Sequence, residues 1–145
     1  MAICCNAEGV DVYNVTTPLH CASQNGHLGC IDLLLSKGAN INVRNDSGWI
    51  PLHYASKFGH LGCIELLLSK GSDVNVKDND GWTLLHYASR NRHLECIKSL
   101  ITYGAESDIK DNSNKTLDYL TPENRSMIEK YIEENEPIYK EPVDY

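Results

Sequence analysis

The sequence lacks any long apolar run and has fewer basic than acidic residues. No stretch approaches the 18 or so apolar residues that a membrane-spanning helix needs, so we expect no contact with a membrane. Residues 1–10 have neither a basic start nor an apolar core, so we expect no signal peptide. Thirteen basic residues stand against 20 acidic ones, for a net charge of −7. Because nucleic-acid binding needs a basic surface, we expect no nucleic acid as partner.

The sequence also lacks the motifs of common catalytic and cofactor sites. It contains no glycine-rich phosphate loop, no nucleophile elbow and no paired-carboxylate pattern. We therefore expect a protein that is not an enzyme and that holds no cofactor.

The sequence does contain one segment that occurs three times. The copies are Leu19 to Gly38, Leu52 to Gly71 and Leu85 to Gly104, and all follow the pattern LHxAS, HL, CI and a final glycine. The spacing between copies is constant, as the following matched positions show: His20, His53 and His86; Cys30, Cys63 and Cys96.

Each copy contains two short apolar runs, which explains why the chain repeats itself. Each run fits a helix of about ten residues, which is marginal in water when isolated. A pair of such helices cannot enclose a core alone and must bury its apolar face against a similar neighbour. Stacked pairs with nearest-neighbour contacts form a solenoid.

The period and its motif resemble those of the ankyrin repeat family, whose repeat is about 33 residues long. The resemblance implies an all-α ankyrin repeat solenoid, built from helix-turn-helix pairs with short β-hairpin-like fingers. We divide the chain accordingly into an N-terminal remnant or cap, three repeats, a degenerate capping repeat and a flexible acidic tail. Their predicted bounds are 1–15, 16–44, 45–77, 78–110, 111–134 and 135–145.

Local signals support these bounds. Thr17 and Pro18 are suited to begin a helix, and Gly38 to end one. Ile50 replaces the capping threonine in the second copy, and Arg92 replaces a glycine in the third; we expect each to cost about 1 kcal/mol. Thr121 and Pro122 predict the last helix, in which Met127, Ile128, Tyr131 and Ile132 form an apolar stripe.

The repeated cysteines and histidines invite a metal or catalytic interpretation. The pairs His27/Cys30, His60/Cys63 and His93/Cys96 each offer two ligands, whereas zinc needs three or four. Stacked helices lie about 8–10 Å apart, beyond disulfide reach. We therefore expect buried, free thiols at the repeated cysteines, no metal site, and a cytoplasmic or nuclear location. The resemblance implies that His20, His53 and His86 orient loop backbone. Cys4 and Cys5 remain unexplained.

Function must then lie in residues that the repeat does not fix. Ankyrin repeat proteins typically bind another protein through their finger tips and concave face, and we expect a monomer that does so. Trp49, Trp82 and Phe58 are aromatic residues flanked by basic ones, as in binding hot spots. The alternative for the tryptophans is packing against the adjacent finger. The expected partner-binding residues are Arg44, Asp46, Ser47, Trp49, Lys57, Phe58, Lys77, Asn79, Asp80, Trp82, Arg90 and Asn91.

The acidic tail carries an alternative function. Glu136-Pro137-Ile138-Tyr139 resembles a tyrosine-phosphorylation motif of certain translocated bacterial effectors. A phosphate on Tyr139 would create a docking site for a phosphotyrosine-binding protein. The competing interpretation is a solvated tail that aids solubility.

Overall fold

The structure is a computed structural model that describes residues 16–135 except 112, 114 and 116. The predicted segment 1–15, with Cys4 and Cys5, and the tail beyond residue 135 lie outside the described residues. The described residues form α1 (Pro18–Gln24), α2 (Leu28–Ser36), α3 (Pro51–Phe58), α4 (Leu61–Ser69), α5 (Leu84–Arg90), α6 (Leu94–Thr102), a 3-10 turn (Leu117–Tyr119) and α7 (Pro122–Glu134).

The helices stack in two layers. The first layer contains α1, α3, α5 and the 3-10 turn, and the second contains α2, α4, α6 and α7. Each helix packs against its neighbours in the same layer, and the two helices of each repeat pack against each other. No β-strand occurs in the part of the chain that the structure describes. The all-α solenoid prediction is confirmed, whereas the predicted domain bounds stay a prediction.

Local capping explains where the helices begin. Thr17 accepts a hydrogen bond from the backbone N–H of His20, and Thr121 accepts one from that of Asn124. Ile50 has no side-chain oxygen, and helix α3 begins without such a bond. The predicted starts at Thr17 and Thr121 are therefore confirmed.

One isoleucine position runs through the core between the layers. Ile31, Ile64 and Ile97 are fully buried, as is Ile128 of the degenerate fourth unit. Ile128 thus continues the core as predicted. Met127, which we placed in the same apolar stripe, is 49% exposed, so that part of the prediction is wrong.

The prediction that all three repeated cysteines are buried is wrong for Cys30. Cys63 and Cys96 are buried, whereas Cys30 is exposed, although its flanking sequence is nearly the same as that of Cys63. Helices α4 and α6 have a described neighbour on each side within the second layer, and α2 has one on a single side. Burial of this position therefore depends on the adjacent repeat.

Glycines at the helix-helix turns receive a histidine from the next repeat. Gly26 and Gly59 adopt left-handed backbone conformations, with φ of 72° and 73°. A methyl group at Gly59 would lie 2.6 Å from Nδ1 of His93, and one at Gly26 would lie 2.8 Å from Nδ1 of His60. Arg92 holds the same conformation with φ of 60°. In the unit that follows Arg92, the alignment that matches Ile128 to Ile97 places Asn124 where this histidine would be.

We expect Gly59→Ala to destabilise the array by more than about 2 kcal/mol, since a left-handed non-glycine residue alone costs about 1–2 kcal/mol and the methyl group would also displace His93. Arg92→Gly should raise the free energy of unfolding by about 1 kcal/mol, because it relieves the same backbone cost. Urea denaturation followed by circular dichroism measures both. Gly29→Ala, within helix α2 and with open space around its methyl group, is the control and should not destabilise. Equal losses from Gly59→Ala and Gly29→Ala would contradict the assignment.

Candidate functional site

The first histidine of the first and third repeats joins a helix start to the finger that follows. Nδ1 of His20 accepts the backbone N–H of Thr17 at 3.1 Å, so Nε2 carries the ring proton in the neutral state. Nε2 of His20 then donates to the carbonyl of Trp49 at 2.8 Å, and that of His86 donates to Lys115 at 2.7 Å. The predicted role in orienting loop backbone is confirmed at both residues. Nε2 of His53 has no hydrogen-bond partner among the described residues.

The second histidine of a repeat reaches back to the preceding repeat. Nε2 of His60 lies 2.8 Å from the carbonyl oxygen of Gln24, and Nε2 of His93 lies 3.0 Å from that of Lys57. Both carbonyls belong to the last turn of a first-layer helix, where no intrahelical donor remains. Each repeat therefore caps the helix before it.

Each finger is fastened to a helix by a buried Asn or Asp that meets a tyrosine. Asn45 accepts the backbone N–H groups of Ser47 and Trp49 through Oδ1, and its amide donates to the hydroxyl of Tyr54. The same arrangement recurs one repeat later, where the hydroxyl of Tyr87 donates to Asp78.

A third copy of this arrangement joins Asp111 to Tyr119. Burial would raise the pKa of Asp111, but hydrogen bonds from Tyr119, Lys115 and Ser113 outweigh it and lower that pKa. The three Asn or Asp positions all take backbone donors in the finger, so the finger turn and its attachment to the helix are one structural unit.

The fastened fingers place five aromatic rings in one stack, which we call the aromatic ladder. The ring of Trp49 lies 4.7 Å from the rings of both Tyr54 and Tyr87, and Trp82 lies 4.9 Å from Tyr87 and 5.4 Å from Tyr119. Both tryptophans are half-buried. Both tryptophans are therefore packed within the array, as the alternative to partner binding predicted. Each ring bridges two repeats.

Basic residues lie over the ladder. Nζ of Lys57 is 5.3 Å from the centre of the Trp49 ring, and the guanidinium of Arg90 is 6.0 Å from that of Trp82 and 5.7 Å from that of Tyr119. Both residues are exposed. Each cation also covers ring surface that would otherwise meet water.

The predicted finger residues lie at exposed tips that contact one another. Arg44 donates to the carbonyl of Lys77 at 2.9 Å. Asn79 donates through its side chain to the carbonyl of Asp46 and through its backbone to that of Ser47. The exposed finger residues of the predicted set are Arg44, Asp46, Ser47, Lys77, Asn79 and Asp80.

Phe58 differs from its equivalents in the other repeats. Asn25 and Asn91 each donate a side-chain hydrogen bond to a carbonyl four residues earlier, which caps their helices. Phe58 cannot make this bond, and its ring is 43% exposed with Nζ of Lys57 5.5 Å from its centre. Phe58 therefore forgoes a local hydrogen bond and keeps close to half of its surface exposed.

The His-x-x-Cys pairs do not gather into a metal centre. Within the described ranges, no three His, Cys, Asp or Glu side chains lie close enough to hold one ion. Burial raises the pKa of Cys63 and, with the charges of Glu65 and Glu95, raises the pKa of Cys96 to about 11. Both sulfurs are thiols near neutral pH, whereas nucleophiles and metal ligands are thiolates.

Comparison with protein families agrees with this geometry. A family model described as ankyrin repeats matches three overlapping spans, residues 2–78, 19–111 and 71–129. The chain belongs to the ankyrin repeat family. A search of curated proteins finds no match. In the described residues, no ankyrin helix is long and apolar enough to cross a membrane.

Sequence reasoning missed the Asn or Asp and tyrosine pairs of the ankyrin fingers. The signal was present, because Asn45, Asp78 and Asp111 recur with the period of the repeats, as do Tyr54 and Tyr87. The predicted phosphorylation site at Tyr139 lies outside the described residues and stays a prediction from sequence.

We expect Tyr87→Phe to destabilise the protein more than Tyr54→Phe. Removing the Tyr87 hydroxyl leaves Oδ2 of the buried Asp78 carboxylate without its donor, although Oδ1 keeps two backbone donors, at a cost of about 1.5–3 kcal/mol; the neutral Tyr54 bond is worth about 1 kcal/mol. Urea denaturation at neutral pH measures both losses. Equal losses would show that the carboxylate at position 78 does not depend on this donor.

We also expect stability to fall with acidification. Burial lowers the pKa of His53 from 6.5 to about 4, against an opposing effect of Asp78, and burial lowers the pKa of His20 and His86 as well. Below pH 6.5 the unfolded chain binds protons that the folded chain does not, so stability is complete above 6.5 and is lost as the pH falls towards 4. His53 alone should account for about 3 kcal/mol.

Urea denaturation at several pH values between neutral and about pH 4.5 tests this slope. The His53→Gln variant should show a flatter slope, whatever its stability at neutral pH. A His53 ring that titrates near 6.5 by NMR in the folded protein would contradict the expectation.

Proposed function

We propose that this chain is a protein-binding module whose partner docks on what we call the ladder face. That face comprises the exposed first-layer residues and finger tips around the aromatic ladder. Ankyrin repeats are generally protein-protein interaction modules, and members of the family typically bind through this side. The twelve partner-binding residues predicted from sequence lie in the fingers or at the ends of first-layer helices, which together form this face.

Phe58 is the observation that supports this proposal most strongly. This ring is 43% exposed, lacks the helix-capping bond of Asn25 and Asn91, and is contacted by Lys57. Positions that break a local rule without a structural gain are expected at functional sites. We assign Phe58 direct contact with the partner, beside Lys57 and Arg90. Trp49 and Trp82 hold the face in shape.

We further propose a non-catalytic monomer in a reducing compartment, the cytoplasm or the nucleus. Cys30, Cys63 and Cys96 are free thiols, and the exposure of Cys30 favours an environment that keeps thiols reduced. Cys21 is disulfide-bonded, which by itself favours an oxidising compartment, so this proposal rests on the three repeated cysteines. The buried thiols have the high pKa values described above, which do not suit a nucleophile.

Phe58→Asn should abolish or strongly reduce capture of the partner while leaving the fold more stable. Asparagine is the residue that the other repeats use here, and its capping bond should add about 0.5–1 kcal/mol to the free energy of unfolding. Loss of an exposed aromatic anchor should make the free energy of binding less favourable by about 2 kcal/mol or more. Affinity capture with quantitative mass spectrometry, alongside urea denaturation, measures the two effects.

Tyr103→Lys is the matched control. Tyr103 is also 43% exposed, it lies at the end of α6 in the second layer, and lysine is the residue of the other repeats at this position, Lys37 and Lys70. Captured proteins should be unchanged in this variant. A partner lost with Tyr103→Lys and kept with Phe58→Asn would move the binding surface to the second layer.

A further inference from the structure

Three cations on the ladder face have no carboxylate partner among the described residues. Lys57, Arg90 and Lys115 are exposed, and each lies over a ladder ring, Lys115 at 5.4 Å from the centre of Tyr119. Among the residues described, ion pairs are formed instead by Lys98, Arg125 and Lys130, each with a glutamate of its own helix. The ladder cations therefore offer unneutralised charge, although the chain as a whole carries −7.

Two of these cations recur with the period of the repeats. Lys57 and Arg90 hold the same position in consecutive repeats. Tyr87 lies between Trp49 and Trp82, which places those two rings within about 10 Å of each other, in line with the usual separation of packed helices. Since packed helices lie about 8–10 Å apart, we expect a ligand that pairs with Lys57 and Arg90 together to present anionic groups at about that separation.

The ladder does not provide stacking platforms for nucleobases. Each tryptophan has a tyrosine on two sides, and Lys57 or Arg90 lies over the remaining surface. Single-stranded nucleic acids bind by inserting bases against free aromatic faces. Exposed carboxylates of Asp46 and Asp80 at the finger tips would repel any anionic ligand there, so we expect such a ligand to lie on the helix side of the face, where Lys57 and Arg90 are.

We propose that the ladder face binds an extended acidic peptide in which a carboxylate side chain recurs every third residue. A polyproline II segment repeats every three residues with a rise of about 3.1 Å each, which places such carboxylates about 9 Å apart on one side. This spacing matches the separation expected of Lys57 and Arg90, which hold equivalent positions on adjacent first-layer helices. The apolar surface of the segment rests on Phe58. The inference rests on the proposed protein-binding function and names the chemistry of its partner.

The probe is a fluorescein-labelled peptide that repeats Glu-Pro-Pro, with binding to the full chain measured by fluorescence anisotropy at low salt. We expect binding that weakens with added salt, because the contacts are charged. Lys57→Gln with Arg90→Gln should weaken binding about tenfold or more, since two charge-assisted contacts are lost. Circular dichroism and melting establish that the double variant stays folded.

Three controls make the result specific. Lys98→Gln removes a lysine that also lies over a tyrosine ring, 5.7 Å from the centre of Tyr131, but on α6 of the second layer, and it should bind the peptide as wild type does. A Gln-Pro-Pro peptide should not bind. A peptide of the same composition with its glutamates clustered should bind several-fold more weakly.

The proposal is overturned if the Glu-Pro-Pro peptide fails to bind at about 1 mM, or if the Gln-Pro-Pro or the clustered peptide binds as well. Equal loss with Lys98→Gln, or binding limited to a phosphoserine peptide or an oligothymidylate, would overturn it too. The two proposals can fail separately. If Phe58→Asn loses a captured protein while the acidic peptide does not bind, the binding function stands and the partner chemistry is wrong.

Discussion

Hydrogen bonds between histidine rings and backbone carbonyls of adjacent repeats hold this array in register. The helices are seven to nine residues long in the three repeats, too short to persist alone. His20 and His86 reach forward to the next finger, and His60 and His93 reach back to the end of the preceding first-layer helix. Backbone carbonyls of one repeat thus find their hydrogen-bond partners in the histidines of its neighbours.

The ladder face depends on this register. Once a histidine fixes the finger and a buried Asn or Asp fastens it to a tyrosine, the tryptophan that follows the finger turn can stack between tyrosines of two repeats. The basic residues over the rings then stand at the spacing of the repeats. A rigid surface binds with little loss of side-chain entropy, so an array built this way suits recognition of an extended segment.

Much of this could be predicted from sequence, because a strict period is a long-range signal in a one-dimensional fold. The constant spacing of the three copies predicted the architecture, and Thr17 and Thr121 predicted helix starts. Exposure could not be predicted in the same way: Cys30 and Cys63 share almost the same local sequence, but their burial depends on whether another repeat lies beyond them. The aromatic ladder was missed because its contacts join residues of different repeats, such as Trp49 and Tyr87, which no single copy contains.

The turn at Arg92 has a consequence for how this array can lengthen. A new copy inserted between the first two would bring both a turn glycine and a histidine, and so would fit its neighbours on either side. A copy added after the third would direct its histidine at Arg92, where Gly26 and Gly59 leave room and an arginine side chain does not. We therefore expect the array to accommodate a duplicated repeat in its interior more readily than after the third repeat.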